Sequence, residues 1–240
     1  MVLGAMAGQI GLIFAMDWNL GGIYGLVFAT GIGLPLSILL GIVAGSVLNR
    51  ARGREMVTSY ILGFFFNGIY QFFVLYILGS VIPMHNKAIM LSRGYGVRNT
   101  LELAPVRQML DTAIPLTIAG FKIPILSYLI IIALCFFIVW FRKTKLGQDM
   151  RAIGQNQAVS LASGIAVERT RIISIVISTV LACIGQIIFL QNMGNMSTYN
   201  AHDQTGFFAA AAILVGGASV NKASIRNVFI GIILLHFLYI

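Results

Sequence analysis

Residues 57–82, 124–141 and 172–190 contain no charged side chain. Each is 18 or more residues long, enough to cross roughly 30 Å of hydrocarbon at about 1.5 Å per helical residue. Inside a bilayer, backbone groups must be paired internally, and such single apolar segments can do that only as helices. The chain therefore reads as an all-α, polytopic helical membrane protein. Composition agrees: 10% of residues are charged and 58% hydrophobic, against about 25% charged in an ordinary soluble domain. A net charge of +9 would suggest nucleic acid in a soluble protein. Here the basic residues fall in connections between apolar runs, where they orient the protein in the bilayer, and nucleic acid is excluded as a partner. Cys135 and Cys183 lie inside apolar runs and offer no disulfide framework or metal spacing. No cleavable signal peptide stands out. Met1 begins inside an apolar run and Ile240 closes one, so residues 1–240 read as a single transmembrane domain cut at both ends from a longer chain.

The path along the chain can be followed in part. The first run stops at Asp17-Trp18-Asn19-Leu20-Gly21-Gly22, a polar break expected at membrane depth. The run 21–48 carries Gly31, Gly33 and Pro35 near its middle and reads as one kinked helix or as two short pieces. Residues 83–123 form a long connection. The run 124–141 closes on Trp140, followed by Arg142 and Lys143 as interfacial anchors. Residues 207–217 are too short to cross and end in a Gly pair, which suggests a half-spanning helix. Placing the 49–56 loop, residues 142–171 and residues 218–226 on one side gathers eleven of the sixteen Lys and Arg there, which makes that side cytoplasmic.

Residues 142–171 are charged and punctuated by glycine. Leu146, Met150 and Ile153 share one face of a short helix expected to end at Gly154. Asn156 suits the N-cap of a second helix and Gly164 its left-handed stop. Leu161, Ala162 and Ile165 form the second apolar stripe. Such a pair of helices serves either as a rigid docking element for a soluble partner or as a hairpin resting on lipid headgroups.

Two membrane runs carry columns of small and amide residues at four-residue spacing: Ser59, Gly63, Asn67 and Gln71, then Ser174, Ser178, Ala182 and Gln186. Small residues suit close helix packing. The amides of Asn67, Gln71 and Gln186 equally suit a polar route, since each carries donors and an acceptor. Asp17, flanked by long apolar stretches, is a functional candidate or a helix-end cap. Gln191, Asn192 and Asn195 cluster at an exit and are outer solute contacts or an ordinary wet loop. His202-Asp203 has no nucleophile or metal spacing around it and reads as a pair of loop residues. No Gly-Lys dipeptide is present, so a phosphate-binding Walker A loop is absent.

The string Thr144-x-x-Gly147, Arg151-Ala152-Ile153-Gly154-x-Asn156 and Gly164-Ile165 resembles the cytoplasmic coupling motif of one permease family. These are the membrane subunits of ABC importers for monosaccharides, nucleosides and branched-chain amino acids. Val215-Gly216-Gly217-Ala218-Ser219 resembles that family's Gly-Gly-x-Ser turn, and Asn19-Leu20-Gly21 loosely its N-terminal membrane break. Departures are Gln148 in place of a basic residue, Val159-Ser160 in place of two alanines, and Val220-Asn221-Lys222-Ala223 in place of a glycine-rich continuation.

The resemblance implies a permease subunit of the bacterial cytoplasmic membrane, not itself an enzyme and without cofactor or metal. Its implied partners are cytoplasmic ATPase subunits, a second permease copy or close relative, an extracytoplasmic solute-binding protein and membrane lipid. Thr144, Gly147, Arg151, Ala152, Gly154, Asn156 and Gly164 would couple to the ATPase. Asp17, Asn19, Asn67, Gln71, Gln186 and Asn192 would line the path, with a monosaccharide as first candidate cargo. The alternative is a stand-alone ion- or proton-coupled carrier using Asp17.

Overall fold

The computed structural model describes residues 1–51, 53–112, 115–118, 121–219 and 223–239. Arg52 and the segment Val220-Asn221-Lys222, which the sequence places on the basic side, lie outside the described residues. The architecture is a bundle built round its first helix. α1 (Val2–Asp17) lies against α2 (Gly22–Arg50) and α8 (Val167–Met193) along most of its length. The three helices approach closely because glycines face backbone across the seam. A Cβ on Gly4 would overlap the Thr179 carbonyl, and one on Gly11 the Ala29 carbonyl. On α2, a Cβ at Gly41 would meet Val176 of α8 at 3.0 Å. Backbone-to-backbone packing of this kind drives helix association in lipid, where apolar burial alone gives no preference for protein over acyl chain.

α2 is one helix of 29 residues that runs through Pro35, which resolves the two readings of 21–48. α3 (Glu55–Phe72) continues as a π-helical turn, Phe73–Ile77, so that the crossing spans 55–77. α5 (Ile125–Phe141) bends by 71° into α6 (Lys145–Gln155), which is followed by α7 (Gln157–Ala162) and α8. After α8 come α9 (Ala201–Val215) and α10 (Ile225–Tyr239), joined by a turn at Gly216-Gly217. Gly216 packs on the Asn227 carbonyl of α10, so the Gly pair closes a tight helical hairpin. α9 is 15 residues long and begins six residues earlier than the apolar run 207–217 suggests.

The long connection is ordered rather than loose, and it departs from a purely helical reading. Between the turns Lys87–Ile89 and Ala104–Val106 lies β1 (Thr100–Glu102), and α4 (Met109–Thr112) follows. β2 (Pro115–Ile118) and β3 (Phe121–Pro124) form an antiparallel hairpin before α5. β4 (Asn195–Ser197) pairs antiparallel with β1, Thr100 opposite Ser197 and Glu102 opposite Asn195. The ladder ties the long connection to the chain leaving α8, with Leu101 and Met196 buried beneath it. Gln108 N–H satisfies the Gln191 carbonyl near the end of α8. At the other end of the bundle, Arg171 pairs with Glu55 at 3.0 Å. That contact puts the 49–56 loop and the 142–171 segment on the same end, opposite the ladder.

Candidate functional site: two clefts beside the central helix

The seam is dense, but the elements facing it are not packed tightly onto it. Two clefts remain. One, of about 560 Å³, lies between α3 and the α1–α2–α8 seam; the other, of about 680 Å³, lies between α5, α8 and α9. Met1, Ser178 and Gly206 contribute to both walls. The two polar columns open onto these clefts: Ser59, Gly63 and Asn67 line the first, and Ser174, Ser178, Ala182 and Gln186 the second. Gly63 and Gly185 have no atom near a built Cβ, unlike the seam glycines. Gly63 thus borders open space. Ala182 and Gln186 line the second cleft and also lie against α1, where a Cβ on Gly4 would come within 2.9 Å of Ala182 Cβ and one on Gly8 within 3.5 Å of Gln186 Cβ.

The polar residues divide by their partners. Gln186 is 1% exposed, and neither its Oε1 nor its Nε2 has a hydrogen-bond partner among the described residues. A buried amide left so costs about 1–3 kcal/mol, and Gln186 is also one of the residues lining the second cleft. Asn67 behaves oppositely. Its Nδ2 donates to Asp203 Oδ2 at 3.0 Å, and its Oδ1 receives Gln71 Nε2 at 3.4 Å. The His202 ring is fully buried, with Nε2 3.2 Å from Asn67 Oδ1 and Nδ1 2.8 Å from Gln9 Oε1. Tyr70 stands edge-on to that ring, 4.9 Å between centroids, and its hydroxyl donates to the Thr198 carbonyl at 2.8 Å. Next along the chain, the Tyr199 hydroxyl donates to the Val97 carbonyl at 2.7 Å. Burial pushes this phenol's pKa up, with Arg93 pulling the other way, so it remains a donor at neutral pH.

His202 and Asp203 are accordingly not loop residues. They occupy the first turn of α9 and, with Gln9, Asn67 and Gln71, tie three helices together. Nothing local distinguishes an adjacent His-Asp pair, so its sequence neighbourhood reads as a wet loop. Gln9, an amide inside a charge-free run, was a signal that could have marked the site.

Asp17 and Asn19 lie elsewhere. Asp17 is 1% exposed, and its carboxylate accepts the backbone N–H of His85 at 2.7 Å and of Asn86 at 2.9 Å, with His85 Nδ1 3.1 Å away. Asn86 Nδ2 donates to the Met16 carbonyl and to Asn19 Oδ1. The Asp17 carboxylate therefore anchors the 85–86 segment, while Asn86 Nδ2 satisfies the Met16 carbonyl at the end of α1, and Asp17 lines neither cleft. Asn19, at φ +49°, borders a separate outer cavity of about 520 Å³ with Asn195. Asn192 is exposed at the end of α8 and lines neither cleft. No group of three or more His, Cys, Asp or Glu is arranged to hold a metal among the described residues.

The 142–171 segment is shaped by its caps. Thr144 Oγ1 donates to the Phe141 carbonyl and accepts from Gly147 N–H at 3.3 Å, starting α6. Gly147 sits where a Cβ would overlap the Phe141 carbonyl, so the sharp bend needs a glycine there. Gly154 does not end α6, contrary to expectation. The helix continues to Gln155, and the break falls at Asn156, whose Oδ1 accepts from Ala158 and Val159 N–H. Asn156 is extended, and its side chain supplies the bonds that a new helix start lacks; glycine at 154 offers neither. Gly164 has φ +78° and ends α7 as expected. Arg151 and Gly154 are exposed and Ala152 half-buried, while Val159 and Leu161 face outward at 60% and 65% exposure.

A family model described as the permease component of branched-chain amino acid transport systems matches residues 1–240. The chain belongs to this permease family. It is a multi-pass membrane protein with up to four helical spans by length and composition among the described residues. Among curated relatives, the nucleoside ABC transporter permease NupB of Lactococcus lactis subsp. cremoris is 37% identical over 90 residues, covering 37% of this chain and 25% of that protein. The autoinducer 2 import system permease LsrD of Escherichia coli O9:H4 is 23% identical over 219 residues, 89% of this chain and 62% of that protein. LsrD of Escherichia coli O157:H7 is 22% identical over 203 residues, 83% of this chain and 57% of that protein. The chain thus spans less than two thirds of the length of each of these permeases. No solved structure matches it.

Proposed function

We propose that this permease chain forms part of the transmembrane path of an ATP-driven importer for a small hydroxylated solute, of monosaccharide or nucleoside size. The observation that carries the reading is that both polar columns border clefts meeting at Ser178 and Gly206. The unpartnered Gln186 amide and the Asn67 cluster supply polar groups along an otherwise apolar wall. Asn67, Gln71 and Gln186 serve the path, Asn67 and Gln186 as wall residues and Gln71 by holding Asn67. The 142–171 segment is the dock for a separate cytoplasmic ATPase. Its helices project from the end of the bundle with Val159 and Leu161 uncovered, and Thr144, Gly147, Asn156 and Gly164 fix their angle, while Arg151, Ala152 and Gly154 face the partner. A second permease copy or relative and an extracytoplasmic solute-binding protein complete the assembly. Two relatives are named for nucleoside and autoinducer 2 transport, which favours a hydroxylated cargo over an amino acid. The stand-alone carrier loses its main support, because the Asp17 carboxylate is occupied by the 85–86 segment.

The test measures uptake and detergent-extracted protein in the same cells for Gln186→Leu and Asn67→Leu. Leu matches an amide in volume, so cavity effects are small. Uptake per folded molecule should fall about tenfold for Gln186→Leu with undiminished protein level, as expected for loss of one to two hydrogen bonds to solute. Equal losses of uptake and protein in both variants would assign these amides to packing alone. Orientation is checked separately: a cysteine at Gln148 should react with an impermeant reagent only from the cytoplasm and one at Asn99 only from outside. Labelling of the Gln148 position in intact cells would reverse the topology and remove the ATPase dock.

A further inference from the structure

The first cleft contains more than a column of small residues. Tyr60 and Phe64 stand one turn apart on α3, 62% and 76% exposed, and line it together with Asn67. Asp203 reaches it from the first turn of α9, its side chain 46% exposed. It is the one acidic or basic side chain among those lining this cleft.

The first-turn position alone would account for an acidic residue, since a carboxylate there complements the helix dipole. It does not account for how this one is held. Oδ2 takes the Asn67 amide at 3.0 Å and lies 3.6 Å from His202 Nε2, while the side chain as a whole stays 46% exposed. Gln71 and His202 in turn fix Asn67, and Gln9 fixes the far side of His202. One oxygen is clamped by a network reaching three helices, and the half-exposed carboxylate belongs to a residue that lines the cleft.

We infer that Asp203 is a solute-recognising residue of this cleft, accepting hydrogen bonds from a pair of adjacent hydroxyls on a neutral solute. This rests on the path reading above. A carboxylate is acceptor-only and can take both hydrogens of a vicinal diol. Tyr60 and Phe64 offer apolar ring faces to the C–H surface of the same sugar ring. An amino acid offers Asp203 an ammonium and a repelling carboxylate in place of two hydroxyls, which makes L-leucine a zwitterionic comparison for the diol. Asn67, His202 and Gln9 are positioning residues for the carboxylate.

The test uses membrane vesicles carrying the full chain with Gly63→Cys, a site with open space at its Cβ. Cys135 is replaced by Ala, and Cys183 is fully buried. The rate of maleimide labelling at position 63 is measured with D-ribose, uridine, 2′,3′-dideoxyuridine, L-leucine or choline present. A diol-bearing probe should slow labelling at about tenfold lower concentration than dideoxyuridine, leucine or choline. Asp203→Asn should remove that advantage, and Asp203→Glu should keep part of it. If Asp203→Asn changes the basal labelling rate, and so the shape of the cleft, the comparison of uridine with dideoxyuridine in the parent decides. Equal protection by diol and non-diol probes, or full protection in Asp203→Asn, overturns the subsite and leaves the path reading standing. Best protection by choline would make this a cation site and likewise overturns it. No protection by any probe removes the path reading together with the subsite.

Discussion

The seam of α1, α2 and α8 and the rim of α3, α5 and α9 use glycine in opposite ways. At Gly4 and Gly11 the absence of a side chain lets one helix touch the backbone of the next. At Gly63 on α3, and at Gly185 where α8 turns toward the rim, the same absence leaves space unfilled. Within the seam the Thr179 hydroxyl donates to the Ser37 carbonyl at 3.0 Å. Where α8 borders both α1 and the second cleft, the buried Gln186 amide has no partner among the described residues. Close backbone contact gives the bundle a fixed frame, and the looser rim provides room and unspent hydrogen-bonding capacity. Close packing and open space are thereby assigned to different faces of the same helices, α8 carrying both.

The comparison breaks most decisively at the seam. Gly11→Leu should abolish recovery of monodisperse folded protein in detergent, since overpacking against backbone has no rotamer escape and costs about 3 kcal/mol or more. Normal recovery would mean the seam is slack. Gly164→Val comes next. Its φ of +78° strains a β-branched residue by about 1–3 kcal/mol, confined to an exposed turn. Membrane levels should persist while solute-stimulated ATP hydrolysis by the reconstituted importer falls severalfold; unchanged stimulation would remove the docking role. The smallest effect belongs to the rim. Gly63→Ala should be neutral or raise thermal stability by up to about 1 kcal/mol, as for Gly→Ala at an unstrained helical site. A large destabilisation there would show that α3 packs as tightly as the seam does.

Much of the candidate site was visible locally. Four-residue spacing put Ser59, Gly63 and Asn67 on one face and Ser174, Ser178, Ala182 and Gln186 on another. Capping chemistry located Asn156 and Gly164, because each acts on backbone within a few residues of itself; Thr144 was marked only by the family resemblance, and the structure shows it to be the cap of α6. Gly154 misled for the same reason: glycine permits a helix end without requiring one, and Asn156 two residues on supplied the stronger signal. Asp17 misled differently. An intramembrane carboxylate has functional and capping readings with identical local sequence, and only the position of His85 and Asn86 separates them.

What the sequence by itself determined is the class of molecule: charge-free runs long enough to span, a basic side, and an amphipathic helix pair between two crossings. These follow from the bilayer's thickness and from hydrogen bonding within short segments. What only the tertiary structure decided is which polar groups meet. Asn67 finds Asp203 136 residues away, and Gln9 finds His202 193 residues away. Gln186, the end of a column seen at once in the sequence, meets no hydrogen-bond partner among the described residues. No periodicity encodes such pairings, because they arise where α9 starts beside the middle of α1, and that placement follows from the packing of every helix before it.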